Sequence, residues 1–136
     1  MTAECFLDAN VLVYAVSKAP AEAGKKKRAL ELIEGEDFGV SAQVLQEFYV
    51  TVTRKLKQPI PADEALKFLR PLAAFPFVPV DFALMQRAIA VSQRFQISYW
   101  DGAVIAAAER LSARTLYSED LNNGQRYGSV LVVNPF

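Results

Sequence analysis

The 136-residue chain carries 15 basic and 15 acidic side chains, one cysteine and no histidine. This balance argues against a protein coated in positive charge to grip nucleic acid. The missing histidine removes Ser-His-Asp and Cys-His catalysis and every His-containing zinc site. Cys5 alone cannot close an internal disulfide, which fits a reducing compartment. With 52% hydrophobic and 22% charged residues a packed core is expected, and the length fits a single domain over residues 1–136. Any chemistry must therefore run on carboxylates, hydroxyls, amides, Lys or Arg. The start Met1-Thr2-Ala3-Glu4 lacks a basic region, and Asp8 interrupts the first apolar run, so no signal peptide is expected. No apolar run approaches the roughly 18 residues of a spanning helix, so no membrane role and a cytoplasmic location are expected.

In chain order, Cys5-Phe6-Leu7 reads as a buried strand that enters a helix through Asp8-Ala9-Asn10, with Val11 to Val16 beyond it. A polar stretch around Lys18 to Gly24 leads into a helix from about Lys25 to Glu34, closed by Gly35. Phe38-Gly39-Val40 reads as a second strand, and Ser41 as the N-cap of a helix reaching about Leu56. After Pro59 and Pro61, Asp63-Glu64 opens another helix, with acids where the helix dipole favours them. Pro71, Pro76 and Pro79 break the next stretch around a strand at Phe77 to Val80. Asp81 caps a helix from Phe82 to about Phe95, and Ser98 caps one reaching about Ser112. Thr115-Leu116-Tyr117 is a strand ending in the turn Ser118-Glu119-Asp120. Asn122-Asn123-Gly124 is a loop, and Ser129 to Val133 is the last strand. Short, wholly apolar strands alternating with helices predict an α/β fold, a mostly parallel sheet covered by helices on both faces.

Most acids have an ordinary explanation: Glu31, Glu34, Glu36 and Asp37 on a solvated helix end, and Asp63, Glu64 and Asp81 at helix starts. Four stand apart. Asp8 and Asp120 follow strand ends, where open α/β sheets bind ligands, although each also reads as a cap or turn residue. Asp101 opens a helix that is apolar nearly all round, with Val104, Ile105 and Ala108 on its own face and no cation there. Either it faces a cleft, or it completes a capping box by reaching back to Ser98, and the two are compatible. Glu47 lies off the apolar stripe of its helix, and the local pattern alone favours a plain solvent-facing glutamate.

The order of these residues resembles the PIN-domain family of metal-dependent ribonucleases, and within it the VapC-like toxins of bacterial toxin–antitoxin pairs. Four short motifs carry the resemblance across almost the whole chain. They are Phe6-Leu7-Asp8-Ala9-Asn10, then Gln46-Glu47-Phe48 after Ser41-Ala42, then Ser98-Tyr99-Trp100-Asp101, and finally Leu116-Tyr117-Ser118-Glu119-Asp120-Leu121 before Asn122-Asn123-Gly124-Gln125. Each is unspecific alone; all four in order are not. The resemblance implies a three-layer α/β/α PIN-like fold in which Asp8, Glu47, Asp101 and Asp120 form an acidic quartet supported by Asn10 and Ser118. It also places the strands ending in Asp8 and Asp120 side by side at a topological switch point.

Oxygen-only ligands favour Mg²⁺ or Mn²⁺ over zinc, with Asp8, Asp101 and Asp120 as the expected ligands and Glu47 acting through water or as a base. The expected reaction is endonucleolytic hydrolysis of RNA by metal-activated water. The resemblance further implies 5′-phosphate and 3′-hydroxyl ends, a small antitoxin partner and a homodimer, with apolar surface on the helices from Ala42 and Asp63 supplying contacts. Lys25 to Arg28, Arg54, Lys55 and Lys57 are rim candidates for phosphates, and Tyr14, Tyr49, Tyr99 and Trp100 are candidates to stack bases. For each, a solvated face or a core role is the ordinary alternative. Rival readings are a non-catalytic PIN-like interaction module, a DNA-directed nuclease, and an aspartyl-nucleophile phosphatase, which usually wants Asp-x-Asp where this chain has Asn10.

Overall fold

Residues 1–136 are described here in a computed structural model. Strand β1 (Cys5–Leu7) is buried at every position, as a central strand of a parallel sheet must be. It feeds α1 (Ala9–Ala15), followed by α2 (Ala23–Gly35), β2 (Phe38–Ser41) and α3 (Ala42–Val50). Beyond a wide turn come α4 (Ala62–Leu72), β3 (Phe77–Val78), α5 (Phe82–Phe95) and α6 (Tyr99–Arg110). The strands β4 (Thr115–Tyr117), β5 (Arg126–Tyr127) and β6 (Val130–Val133) complete the chain. The sheet order is β3-β2-β1-β4-β6-β5, parallel except for the β5–β6 pair.

Connections from β1 run outward through β2 to β3, and the chain then crosses back over β1 to β4. Right-handed crossovers therefore put the outgoing helices on one face and the returning α5 and α6 on the other. The reversal falls between β1 and β4, where a crevice opens beyond the strand ends. One continuous core of 34 buried residues, including Phe6, Phe38, Phe48, Ile105 and Leu116, lies between the layers. The closest helix contact is α5 on α6. A Cβ on Gly102 would lie 2.7 Å from the Ala88 carbonyl oxygen, so only glycine lets the two backbones approach this far.

The helix from Ser41 extends to Lys55, close to the expected Leu56, but only Ala42–Val50 is α; over Thr51–Lys55 it widens into a π-type turn in which the Leu56 N–H donates to the Thr51 carbonyl. The run Val50-Thr51-Val52-Thr53 is β-branched throughout, and the Thr53 hydroxyl donates to the Tyr49 carbonyl at 2.7 Å, bending the helix there. Conversely, Pro71 does not break its helix. It sits in the last turn of α4 on the exposed side, where its fixed φ is helical and water reaches the Lys67 carbonyl it leaves free. Pro79, lacking a donor, confines β3 to Phe77–Val78, short of the expected Val80. Strand β5 escaped the sequence reading. It is two residues long, and the turn joining it to β6 has Gly128 at φ +62°. No helix is long and apolar enough to cross a membrane.

Candidate active site

Register builds the centre of the site. Leu7 pairs with Tyr117 in the parallel β1–β4 ladder, so the next residues, Asp8 and Ser118, emerge together where the strands end. The Asp8 N–H is held by the Tyr117 carbonyl and the Ser118 N–H by the Val133 carbonyl, each at 3.1 Å. Asp8 is the N-cap of α1, one carboxylate oxygen accepting the Ala9 N–H at 2.8 Å. The other accepts the Ser118 hydroxyl at 2.7 Å. The Ser118 oxygen in turn accepts the Asp120 N–H at 3.1 Å.

Asn10, two residues into the motif, faces the same place. Its side-chain N–H groups reach an Asp120 carboxylate oxygen at 3.1 Å and Ser118 Oγ at 3.4 Å, and its Oδ1 accepts the Glu119 N–H at 3.2 Å. Asp8, Asn10, Ser118 and Asp120 thus form one hydrogen-bonded lattice across some 110 residues of sequence. Glu119, in the same turn, points away. It accepts from the Tyr14 hydroxyl at 2.8 Å and the Lys25 ammonium at 2.9 Å. Those bonds hold its pKa below the usual value although burial pushes the other way.

Asp8 is only 6% exposed. Burial raises its pKa to about 6, opposed by the bonds from Ser118 and Ala9 and reinforced by the charges of Glu47 and Asp120. Glu47 is therefore electrostatically within reach of Asp8 although it is exposed and lies on α3. Its carboxylate accepts from Gln43 at 3.0 Å, and the same Gln43 amide donates to the Trp100 carbonyl at 3.2 Å, tying α3 to the start of α6.

Asp101 is placed differently from the rest. It is half-buried in the first turn of α6, and its N–H donates to the Ser98 hydroxyl at 3.0 Å. The reciprocal arm of a capping box is not made, leaving the carboxylate free of protein hydrogen bonds. After burial, the Asp101 charge is the second cause that raises the Tyr127 hydroxyl's pKa. No three carboxylates gather tightly enough to cage a cation in common.

Five acids are matched with cations, Asp81 with Arg110, Glu109 with Arg87, Glu119 with Lys25, Glu64 with Lys18 and Glu31 with Arg28, and six more, including the exposed Glu34, Glu36 and Asp63, stand unpaired outside the site. Asp8, Glu47, Asp101 and Asp120 have no such partner. Carboxylates held at a strand-end crevice without a counter-charge, one of them reluctant to ionise, suit a hard dication. The oxygen-only donors fit Mg²⁺ that is bound by a few carboxylates and keeps several waters better than a full protein cage.

Among the expected rim residues, Lys25 and Arg28 are already engaged, Arg28 also donating to the Pro135 carbonyl at 3.2 Å. Lys55 is placed otherwise. With Gln43, Gln46, Glu47, Val50, Thr51 and Trp100 it lines an open groove of about 430 Å³ beside the acids. Tyr14, expected as a base-stacking candidate, instead holds Glu119. Gln43, Tyr14 and Glu119 are the structural members that sequence reasoning missed. Only the four-residue spacing of Gln43 and Glu47 on one helix pointed to any of them.

Comparison with known proteins follows the geometry. Residues 5–125 match the PIN domain family. Among curated proteins the sequence has no significant match. Solved structures do resemble it. The Mycobacterium tuberculosis toxin VapC20, described as cleaving the sarcin-ricin loop, superposes with a TM-score of 0.68 at 18% identity, covering 85% of this chain and 89% of that one. A toxin–antitoxin complex from Klebsiella pneumoniae gives 0.70 at 17%, covering 97% and 98%. FitAB bound to a DNA fragment gives 0.70 at 22%, covering 96% and 94%. At these identities the likeness is one of fold.

Proposed function

Since this chain belongs to the PIN-domain family and has a VapC-like fold, we propose that it is a metal-dependent endoribonuclease and the toxin of a toxin–antitoxin pair. One observation carries the reading: the Asp8–Asn10–Ser118–Asp120 lattice at the β1–β4 switch point, with Glu47 close by and no cation to neutralise it. Asp8, Asp101 and Asp120 are the proposed ligands of Mg²⁺ or Mn²⁺. When bound, the metal would supply charge neutralisation and an acidified water for phosphodiester hydrolysis.

The protein's own part is preorganisation. Ser118 and the Ala9 N–H hold the Asp8 carboxylate at a fixed angle. Asn10 sets the distance between Asp8 and Asp120, and Gln43 fixes the Glu47 side chain. Glu47 is proposed to orient or deprotonate the attacking water. Asp101, free of hydrogen bonds, is the acid with most freedom to turn toward an ion.

An antitoxin and a second copy of the chain are the proposed protein partners. Three exposed apolar side chains that could meet them, Phe82, Met85 and Ile89, lie on α5, a helix not expected to carry such contacts. Leu66 on α4 and Tyr49 with Val50 on α3 add to that surface.

The test is to purify the protein free of any partner and incubate it with single-stranded and structured RNA, and with DNA, in Mg²⁺, Mn²⁺ or EDTA. Metal-dependent RNA cutting that disappears in a folded Asp101→Asn variant is the expected result. A folded protein that binds metal and cuts neither RNA nor DNA would move the interaction-module reading ahead. Cutting of DNA alone would reassign the substrate.

A further inference from the structure

We propose that the groove between α3 and the start of α6 is a subsite for one unpaired nucleotide of a single-stranded RNA, its base stacked on Trp100 and its phosphate held by Lys55. The ligand class rests on the nuclease reading above; the site itself rests on the groove.

Trp100 is 64% exposed, an unusual position for the largest side chain in a chain with a full core. It is not loose. Its ring meets Tyr99 edge-on at 5.0 Å, and its carbonyl is held by Gln43. A rigid, half-presented indole is what a base stacks on. Across the groove, Lys55 makes no ion pair and is the only cation in the lining. Glu47, on the same wall, repels phosphate from the middle, so a nucleotide fits in one orientation, its phosphate toward Lys55 and its base toward Trp100.

The remaining lining is polar in a way that suits a base edge. The Gln43 nitrogen is committed to Glu47 and Trp100, which leaves its carbonyl oxygen as an acceptor. The Gln46 amide has no protein partner and offers both a donor and an acceptor. A volume of about 430 Å³ lies within the range of small-molecule sites. Stacking on Trp100 requires a base that is out of a helix, which makes the ligand single-stranded. Glu47 belongs both to the groove and to the proposed acid site, so a nucleotide seated here lies next to the bond to be cut. An apolar hollow lined by Val80, Leu84, Met85 and Ala103 also borders Trp100, and a protein segment seated there is the competing occupant.

Trp100 is the only tryptophan in the chain, so its fluorescence reports this groove and the hollow that borders it. The wild-type protein in EDTA, which prevents turnover, is titrated with a short unstructured RNA, a matching RNA duplex and a single-stranded DNA. Binding is followed in parallel by anisotropy of labelled strands. Saturable quenching by unstructured RNA and not by duplex is expected. Quenching by DNA as strong as by RNA would retain the stacking site and remove its preference for RNA. Trp100→Ala should weaken RNA binding by between about 5-fold and about 100-fold, with Trp100→Phe restoring most of it. Lys55→Ala should weaken binding and flatten its salt dependence.

RNA bound by anisotropy with unchanged Trp100 emission overturns the proposal, as does no RNA binding at all. Emission that follows protein concentration and ignores RNA assigns Trp100 to a second copy and equally overturns it. The nuclease reading fails separately. Quenching without cutting in Mg²⁺ or Mn²⁺ leaves the subsite standing and the enzyme claim fallen, and cutting without quenching does the reverse.

Discussion

The Ser118 hydroxyl donates to the Asp8 carboxylate at 2.7 Å inside a region closed to solvent, with Ser118 fully buried and Asp8 6% exposed. A carboxylate so placed depends on its donors, because water cannot replace them. Ser118→Ala removes one donor to Asp8 and the acceptor of the Asp120 N–H. We expect a loss of about 1–3 kcal/mol in urea denaturation at pH 7. The loss should shrink at pH 5, where Asp8 holds a proton. Equal losses at both pH values would mean that the hydroxyl supports the fold without serving the charge.

The pH dependence of stability has a definite sign. Asp8 has a pKa of about 6 in the folded protein, above its ordinary 3.8. Between these values the folded state retains a proton that the unfolded chain has released. Stability is therefore present below about pH 4 and is lost as pH rises toward 6, by up to roughly 3 kcal/mol from this group. Asp8→Asn keeps the cap acceptor and abolishes the titration. Its stability should gain on the wild type across this window, read from denaturation curves at successive pH values. Parallel curves for the two proteins would remove Asp8 as the titrating group.

Divalent ions should act in the opposite direction. An ion that binds the deprotonated acids stabilises the folded state by mass action, so Mg²⁺ or Mn²⁺ should raise Tm more at pH 7 than at pH 5. The increment should vanish in a double variant with Asp8→Asn and Asp120→Asn. Calorimetry with and without EDTA checks it, and a pH-independent increment would place the ion elsewhere.

The Asn10 amide donates to both carboxylates, to Asp120 at 3.1 Å and more weakly to Asp8 at 3.5 Å, and to Ser118. Asn10→Asp would add a third negative charge to the lattice and delete its donor to Asp120. The expected result is a protein less stable without metal by about 1–3 kcal/mol and more dependent on Mg²⁺ for its Tm. A variant as stable as the wild type in EDTA would show that Asn10 carries no bridging role.

Two glycines separate packing from propensity. Gly102→Ala places a methyl 2.7 Å from the Ala88 carbonyl and 3.1 Å from Ser92, so α5 and α6 must part, at a cost of about 1–3 kcal/mol. Gly24→Ala meets nothing within 4 Å in the first turn of α2 and should be neutral or stabilising by up to about 1 kcal/mol. Urea midpoints measure both.

The fold was legible where local signals and burial agreed. Asp81 and Ser98 cap their helices by accepting the N–H three residues on, as their positions predict. The short strands at Cys5 and Thr115 pair in parallel at the centre of the sheet. Legibility failed where a local preference met a competing bond. The β-branched run after Val50 opens a π-type turn because the Thr53 hydroxyl takes a backbone carbonyl. Strand β5 exists only because Gly128 turns it onto β6.

The candidate site divides in the same way. The strand-end position of Asp8 and Asp120 is visible in the sequence. The bonds that Asn10 and Ser118 make between them span more than 100 residues, and no local pattern encodes those. Glu47 has no distinguishing neighbour in sequence, and its influence on Asp8 arises only once α3 is folded against α1 and β2. Asp101 occupies the capping-box position three residues after Ser98, but only the Ser98 half of that box forms.

The two outermost strands, β3 and β5, are each two residues long, and β3 lies between Pro76 and Pro79. A sheet whose borders are this short and this poor in free donors offers no template for another chain to extend. The protein is thereby protected against edge-to-edge polymerisation, and a seventh strand cannot be lent to it by a neighbour. Associations of this protein are therefore expected to be built from helix faces and loops and not by extension of its sheet.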